Sequence, residues 1–327
     1  CPETAPRRSA GMRRKAKLFA LCFGLIGPAC RGEPEPASMP AVSPAPASSV
    51  APSAAPTAAP ASAAALPKYA EARAAFATRL KRQGPAPQPF EPVAPPKGVT
   101  EVVYRSGALE LKAWLAGVSP EGKKRPAVLF LHGGFAFGVE DWEMAAPFRD
   151  AGFVVMVPLV RGENGMPGHF TMFLAEVDDV LAAAESLAAH PAVLPDRIYL
   201  AGHSAGGTLT ALAAMASGRF RAAAAYSASP DQRIWREASP AAVPFDLNDG
   251  QEYALRSPAA FPTSFQCPIR LFYGSQEQPY GRLTERLAER AKAAGLDVRA
   301  IALPGDHFSY VPEAMRQSIS FFDEHRP

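Results

Sequence analysis

From residue 99 onward the chain alternates between two hydrophobic patterns. Short, largely apolar runs (127–131, 153–158, 198–201, 222–227, 269–273 and 298–303) have the length and composition of buried strands. Between them lie stretches with helical spacing: 142–151, 171–190, the run after residue 204, 282–294 and 312–322. Residues 99–105 and 109–115 read as an antiparallel pair around Ser106-Gly107. Buried strands alternating with helices predict a mostly parallel central sheet with helices on both faces. Residues 231–264, broken by Pro240, Pro244, Pro258 and Pro262, read as irregular. The roughly 260 residues from Lys68 onward fit one such domain.

Upstream the pattern changes three times. Residues 68–83 place Tyr69, Ala72, Phe76 and Leu80 on one helical face and predict an N-terminal helix packed on the domain; 85–96 is an irregular, proline-rich linker. Residues 31–67 are nearly all Ala, Pro and Ser, a composition that buries no core and predicts a disordered tether. Residues 1–30 carry Arg13, Arg14, Lys15 and Lys17 ahead of an apolar run, 18–26, that is too short to span a bilayer but suits an export signal. The run ends in Gly27-Pro28-Ala29-Cys30, which resembles a bacterial lipoprotein cleavage site with Cys30 as the lipidated residue. An aliphatic residue is usual where Gly27 stands. Cleavage at Ala29 that leaves Cys30 a free thiol, or a retained signal, are the alternatives. The expectation is an exported protein, held at the cell envelope by a lipid on Cys30 or secreted.

Composition narrows the chemistry. The formal charge is +3, but residues 1–29 hold six basic side chains and one acidic; without them the 34 basic and 31 acidic residues become 28 and 30. Such a chain has no basic surplus for nucleic acid. Of four cysteines only Cys267 lies in the globular part, which leaves no disulfide framework and no cysteine-based zinc site there. No spacing of His and acidic residues suggests a metal, and no glycine-rich nucleotide motif follows a strand, so no cofactor is expected.

The candidate chemistry sits at Gly202-His203-Ser204-Ala205-Gly206, between an apolar run and a helical one. This is G-x-S-x-G in a strand–turn–helix context, and it marks Ser204 as a nucleophile. A serine hydroxyl needs a base. Only His307 and His325 follow Ser204; His307 sits in Gly305-Asp306-His307-Phe308 just after the last strand, and His325 lies near the end of the sequence, where solvation is expected. The succession strand-HGG, strand-RG, strand-GHSAGG, strand-YGSQE, strand-GDH resembles the α/β-hydrolase fold. Within it the chain is most similar to the catalytic domain of the prolyl oligopeptidase and dienelactone hydrolase group, over about Val99 to Phe322, without room for a β-propeller. The most specific piece is residues 176–207, with Asp196-Arg197 as a turn before the nucleophile strand.

The resemblance implies a triad of Ser204, an acid and His307. The acid position after the 269–273 strand carries Glu277, where Asp is usual; Asp306, beside the histidine, is the nearest competitor, and a carboxylate from elsewhere with Glu277 solvated is the third reading. The oxyanion hole is implied at the Ala205 N–H and at Gly134, with Gly133 second. His132 and His203 read as structural neighbours, Asp178 and Asp179 as a helix face, and Arg161-Gly162 as a turn. Trp235, Phe245 and Tyr253 are candidates for a lid and acyl pocket, or else part of a surface loop. The expected function is a serine hydrolase that cleaves an ester or amide of a small molecule or short peptide through an acyl-enzyme, carboxylesterase-like or peptidase-like. A catalytically idle member that acts as a binding protein is the alternative.

Overall fold

The computed structural model describes residues 68–119 and 121–326; the expected signal, Cys30 and the tether lie outside the described residues. Eight strands are β1 (Thr100–Ser106), β2 (Leu109–Ala116), β3 (Arg125–Leu131), β4 (Val154–Pro158), β5 (Val193–His203), β6 (Ala223–Tyr226), β7 (Ile269–Gly274) and β8 (Val298–Leu303). The helices used below are α1 (Tyr69–Ala74), α2 (Val139–Met144), α3 (Ala146–Asp150), α4 (Glu176–Ala189), α5 (Ala205–Ala216), α6 (Trp235–Ala238), α7 (Gly250–Ala254), α8 (Tyr280–Ala293) and α9 (Val311–Glu324).

The strands form one sheet in the order β1-β2-β4-β3-β5-β6-β7-β8. β1, β2 and β4 pair antiparallel; the pairings β4-β3, β3-β5 and onward to β8 are parallel. This is an α/β-hydrolase-type fold. The chain runs from β3 out to β4, then returns to the other side of β3 as β5. That reversal leaves a crevice at the carboxyl ends of β3 and β5, the position where open α/β sheets bind ligands.

The apolar runs divide their side chains between two cores. Ala127, Leu129 and Leu131 of β3 and Ile198 and Leu200 of β5 join one; Val128, Phe130, Tyr199 and Ala201 join the other. α4, α5 and α8 close the first core, and α2, α3 and α9 close the second. On the second face Phe322 stacks on Tyr199 at 4.6 Å and on Phe148 at 5.9 Å. Each such buried aromatic contributes about 2–3 kcal/mol by area and packing.

Several elements differ from their sequence pattern, some because distant partners take over the backbone and others for local reasons. The helix expected over 68–83 stops at Ala74: beyond it Arg79 N–H donates to Glu252, Lys81 and Arg82 N–H to Pro244 O, and Leu80 bridges Phe245. The helix expected from 171 begins at Glu176, because the Glu176 carboxylate accepts the Thr171 N–H and hydroxyl while Thr171 Oγ1 accepts the Ala175 N–H. The single helix expected at 142–151 is two, α2 and α3, the second with Pro147 in its first turn. Asp196-Arg197 lies within β5 rather than in a separate turn. Residues 231–264 form short helical turns, α6 and α7 among them.

Candidate active site

Ser204 stands at the junction of β5 and α5 with φ 57° and ψ −114°. This left-handed conformation costs a non-glycine residue about 1–3 kcal/mol and persists only when its surroundings impose it. They do: Ser204 N–H donates to Tyr226 O at 2.8 Å, and the flanking glycines allow contacts no side chain would permit. A Cβ on Gly206 would lie 2.1 Å from Leu131 O, and one on Gly202 would lie 2.5 Å from Gly206 O. The turn thus lifts the Ser204 hydroxyl above the carboxyl edge of the sheet.

The loop after β8 brings His307 to it. His307 Nε2 lies 3.0 Å from Ser204 Oγ, and His307 Nδ1 lies 2.6 Å from Glu277 Oε1 on the loop after β7. Glu277 Oε2 accepts from Gly274 N–H at 2.7 Å and Ser227 Oγ at 2.8 Å. Burial pushes the Glu277 carboxyl up, but His307, Gly274 N–H and Ser227 outweigh it and hold it below the usual carboxylate range. With Glu277 ionised, the proton on His307 sits on Nδ1, and Nε2 accepts from the Ser204 hydroxyl. Asp306, the competing acid, faces elsewhere: its Oδ1 accepts Phe308 N–H at 3.0 Å and Ser309 N–H at 2.8 Å and shapes the loop. His325 is not simply solvated; it is partly buried, with Nδ1 bonded to Phe321 O.

His203 does more than fill space. Its Nε2–H donates to His307 O at 2.8 Å, which pins the backbone of His307. Burial, reinforced by His307, drives its pKa down to about 3, so it stays neutral.

The loop after β3 faces Ser204. Gly133 packs so closely that a Cβ would lie 3.1 Å from His203 Nδ1 and 3.6 Å from Ser204 Cβ, and Gly134 turns with φ 71°. Among the described residues, neither the Gly134 N–H nor the Ala205 N–H donates to a protein acceptor. Three ties hold the loop: His132 Nε2 to Glu163 at 3.0 Å, Phe135 N–H to Gln88 Oε1 at 2.9 Å, and Phe137 N–H to Asn164 at 2.8 Å.

Burial favours neutral His132, yet the carboxylates of Glu163 and Asp141 outweigh it and raise its pKa to about 9. A folded-state pKa above the ordinary 6.5 means stabilisation that is complete below 6.5 and lost as pH rises through 9. The stability of the protein relative to His132→Gln should therefore fall between pH 6.5 and 9, by on the order of 1–3 kcal/mol. Denaturant titrations of both proteins across that range measure it; parallel curves would show that His132 is neutral in the fold.

Gly133, Gly134, His203, Ser204 and His307 open into a cavity of about 610 Å³ whose other walls are mostly apolar. Phe135, Met144, Trp235, Ala241, Ala242 and Phe308 line it, together with Asp141, Ser239 and the segment Pro87-Gln88-Pro89. Of the three aromatic residues expected to form a lid, only Trp235 lines this cavity. Phe245 and Tyr253 pack edge-to-face at 5.0 Å, with Arg256 over the Phe245 ring at 4.2 Å. Asp179 is fully buried rather than on an open face and pairs with Arg161 at 2.7 Å, so it fixes the turn after β4.

Sequence reasoning missed Gln88, Ser227, Glu163 and the His203–His307 bond. Gln88 sits in a proline-rich linker with no motif around it, and Ser227 follows a strand with no local pattern. The positive φ of Ser227, 49°, is a backbone signal that only coordinates carry. Cys267 is buried with its thiol pushed up to about 12 by burial, which leaves it inert. Among the described residues no group of acidic, His or Cys side chains is arranged to hold a metal.

A profile of the prolyl oligopeptidase family (Peptidase_S9) matches residues 139–320. The uncharacterized peptidase YtmA of Bacillus subtilis (strain 168) is 28% identical over 193 residues, which span 54% of this chain and 72% of that protein. Among solved structures, the Pyrococcus horikoshii acylaminoacyl peptidase superposes with a TM-score of 0.55 at 22% identity, covering 69% of this chain and 40% of that one. The chain thus spans about two fifths of the length of that larger enzyme. The Pyrococcus furiosus esterase Pf2001 superposes with a TM-score of 0.57 at 15% identity, covering 74% of this chain and 97% of the esterase.

Proposed function

The chain belongs to the prolyl oligopeptidase family and is a serine hydrolase, and from that premise we propose that Ser204, His307 and Glu277 cleave small acyl esters or short peptide amides through an acyl-enzyme. The observation that carries this reading is the hydrogen-bonded line from Ser204 Oγ through His307 to Glu277, at the floor of a cavity. Ser204 attacks the acyl carbon as its proton passes to His307 Nε2. Glu277, accepting from Nδ1–H, orients the ring and stabilises the imidazolium. The N–H groups of Gly134 and Ala205 meet the oxyanion. His307 then protonates the leaving group, and a water activated by the same imidazole releases the acid.

The apolar wall of Phe135, Trp235, Met144 and Phe308 suits an aromatic or medium-chain acyl or side-chain group. A fluorophosphonate probe should label the folded protein, and the label should map to Ser204. No Ser204-dependent labelling of folded protein would overturn the reading and leave the idle, ligand-binding alternative. A panel of p-nitrophenyl esters against aminoacyl p-nitroanilides separates the two substrate classes; kcat/KM should peak at four- to eight-carbon or phenylacyl groups, about tenfold above acetyl. The reading includes export and a lipid on Cys30, supported by the basic-then-apolar pattern of residues 13–30. Mass spectrometry of the mature N-terminus tests that part, and an unmodified Cys30 thiol would overturn it.

A further inference from the structure

We infer that Gln88 is a positioning residue for acylation: its side-chain amide holds the 133–135 loop in the arrangement that leaves the Gly134 N–H open to the oxyanion. The inference rests on the serine-hydrolase reading of the site.

An oxyanion hole works only if its donors are fixed before the charge develops. Two consecutive glycines supply little restraint of their own, because a glycine peptide rotates at small cost. Within the loop His132 Nδ1–H donates to Gly133 O at 3.0 Å; the rest of the restraint has to come from outside it. Gln88 Oε1 accepts the Phe135 N–H at 2.9 Å, which fixes the plane of the peptide that joins Gly134 to Phe135. The same amide lies against Gly134: a Cβ there would be 2.7 Å from Oε1 and 3.4 Å from Nε2. The Phe135 N–H is thereby occupied, and the Gly134 N–H keeps no protein acceptor among the described residues.

The delivery of Gln88 is itself constrained. Pro87 and Pro89 flank it and limit its backbone to extended geometry. On the N-terminal side, Ala86 N–H donates to Gly162 O and Phe170 N–H to Gly84 O, both at 2.9 Å. The segment is a strap tied to the body beside the loop it steadies, and it lies outside the matched residues 139–320.

Gln88→Met keeps the length of the side chain and removes the acceptor. It should lower kcat for a p-nitrophenyl ester about 10–100-fold, with KM within about threefold. Affinity for a trifluoromethyl ketone, which forms a tetrahedral adduct, should fall by the same factor as kcat/KM, while affinity for the product acid stays within about twofold. Arg82→Ala breaks a different strap bond, that to Ala241 O, and should leave kcat unchanged. Gln88→Asn, whose amide is one methylene too short, should repeat the pattern of Gln88→Met if that variant folds poorly. Unchanged kcat and ketone affinity in a folded Gln88 variant would overturn the inference, as would an equal loss in Arg82→Ala. If the wild-type protein is not labelled by a fluorophosphonate, the hydrolase reading fails instead.

Discussion

Ser204→Ala should lower kcat/KM for a p-nitrophenyl ester by about 10⁴–10⁶-fold and abolish fluorophosphonate labelling, with the fold intact. The expectation follows from position as much as from residue type. Ser204 occupies the left-handed turn at φ 57°, between a strand and a helix that are both buried. Its hydroxyl lies 3.0 Å from His307 Nε2, the proposed proton acceptor. A companion variant separates chemistry from strain. Ser204→Gly should be as inactive as Ser204→Ala but more stable than wild type by about 1 kcal/mol, because glycine adopts this conformation without penalty. A thermal melt of the three proteins reads the difference, and a Gly variant no more stable than the Ala variant would show that the turn is unstrained. Ester turnover surviving both changes would point to another nucleophile.

Glu277→Gln should cost about 10⁴-fold in kcat, whereas Asp306→Asn should stay within about tenfold. The first magnitude has a geometric reason. Gly274 N–H can only donate, so it needs an oxygen at the Oε2 position. A glutamine amide that meets this demand turns its NH₂ toward His307 Nδ1. The imidazole must then accept there and carry its proton on Nε2, the tautomer that cannot take a proton from Ser204. Asp306 has no such leverage: its carboxylate serves Phe308 and Ser309 backbone N–H groups. Stopped-flow or steady-state ester kinetics on both variants decide the acid. A larger loss at Asp306 would reverse the assignment.

What was legible in the sequence was local. The β5–turn–α5 unit combines an apolar strand, glycines at close approach and a helical run in one continuous stretch of chain, so its pattern survives without tertiary information. The positions of Glu277 and His307 were legible because each directly follows a strand, and strand ends are tied to the sheet edge. What the sequence hid were pairings between distant residues. Arg256 and Glu252 are almost fully buried, bonded to each other and to Thr78, yet each looks like an ordinary solvated charge in its own window. Asp179, partner to Arg161, is hidden the same way. The helix expected over 68–83 failed for a related reason: its periodicity is real, but the Glu252 carboxylate and Pro244 O offered the backbone better partners than another helical turn.

The cavity is walled by the Pro87-Gln88-Pro89 strap on one side and by Trp235 and Ala241-Ala242 on another, while the proton-transfer groups stand on the ends of β5, β7 and β8. Two residues of these walls touch the loop that faces Ser204: Gln88 through the Phe135 N–H, and Trp235 through the Phe135 ring at 5.5 Å. On the proposed reading, recognition and proton transfer therefore stand mostly on different segments of the chain. Substitutions at Pro87, Trp235 or Ala241 can retune which acyl groups are accepted while the reaction machinery is inherited unchanged, which makes the walls the natural place for a lineage, or a directed-evolution library, to search for new substrates.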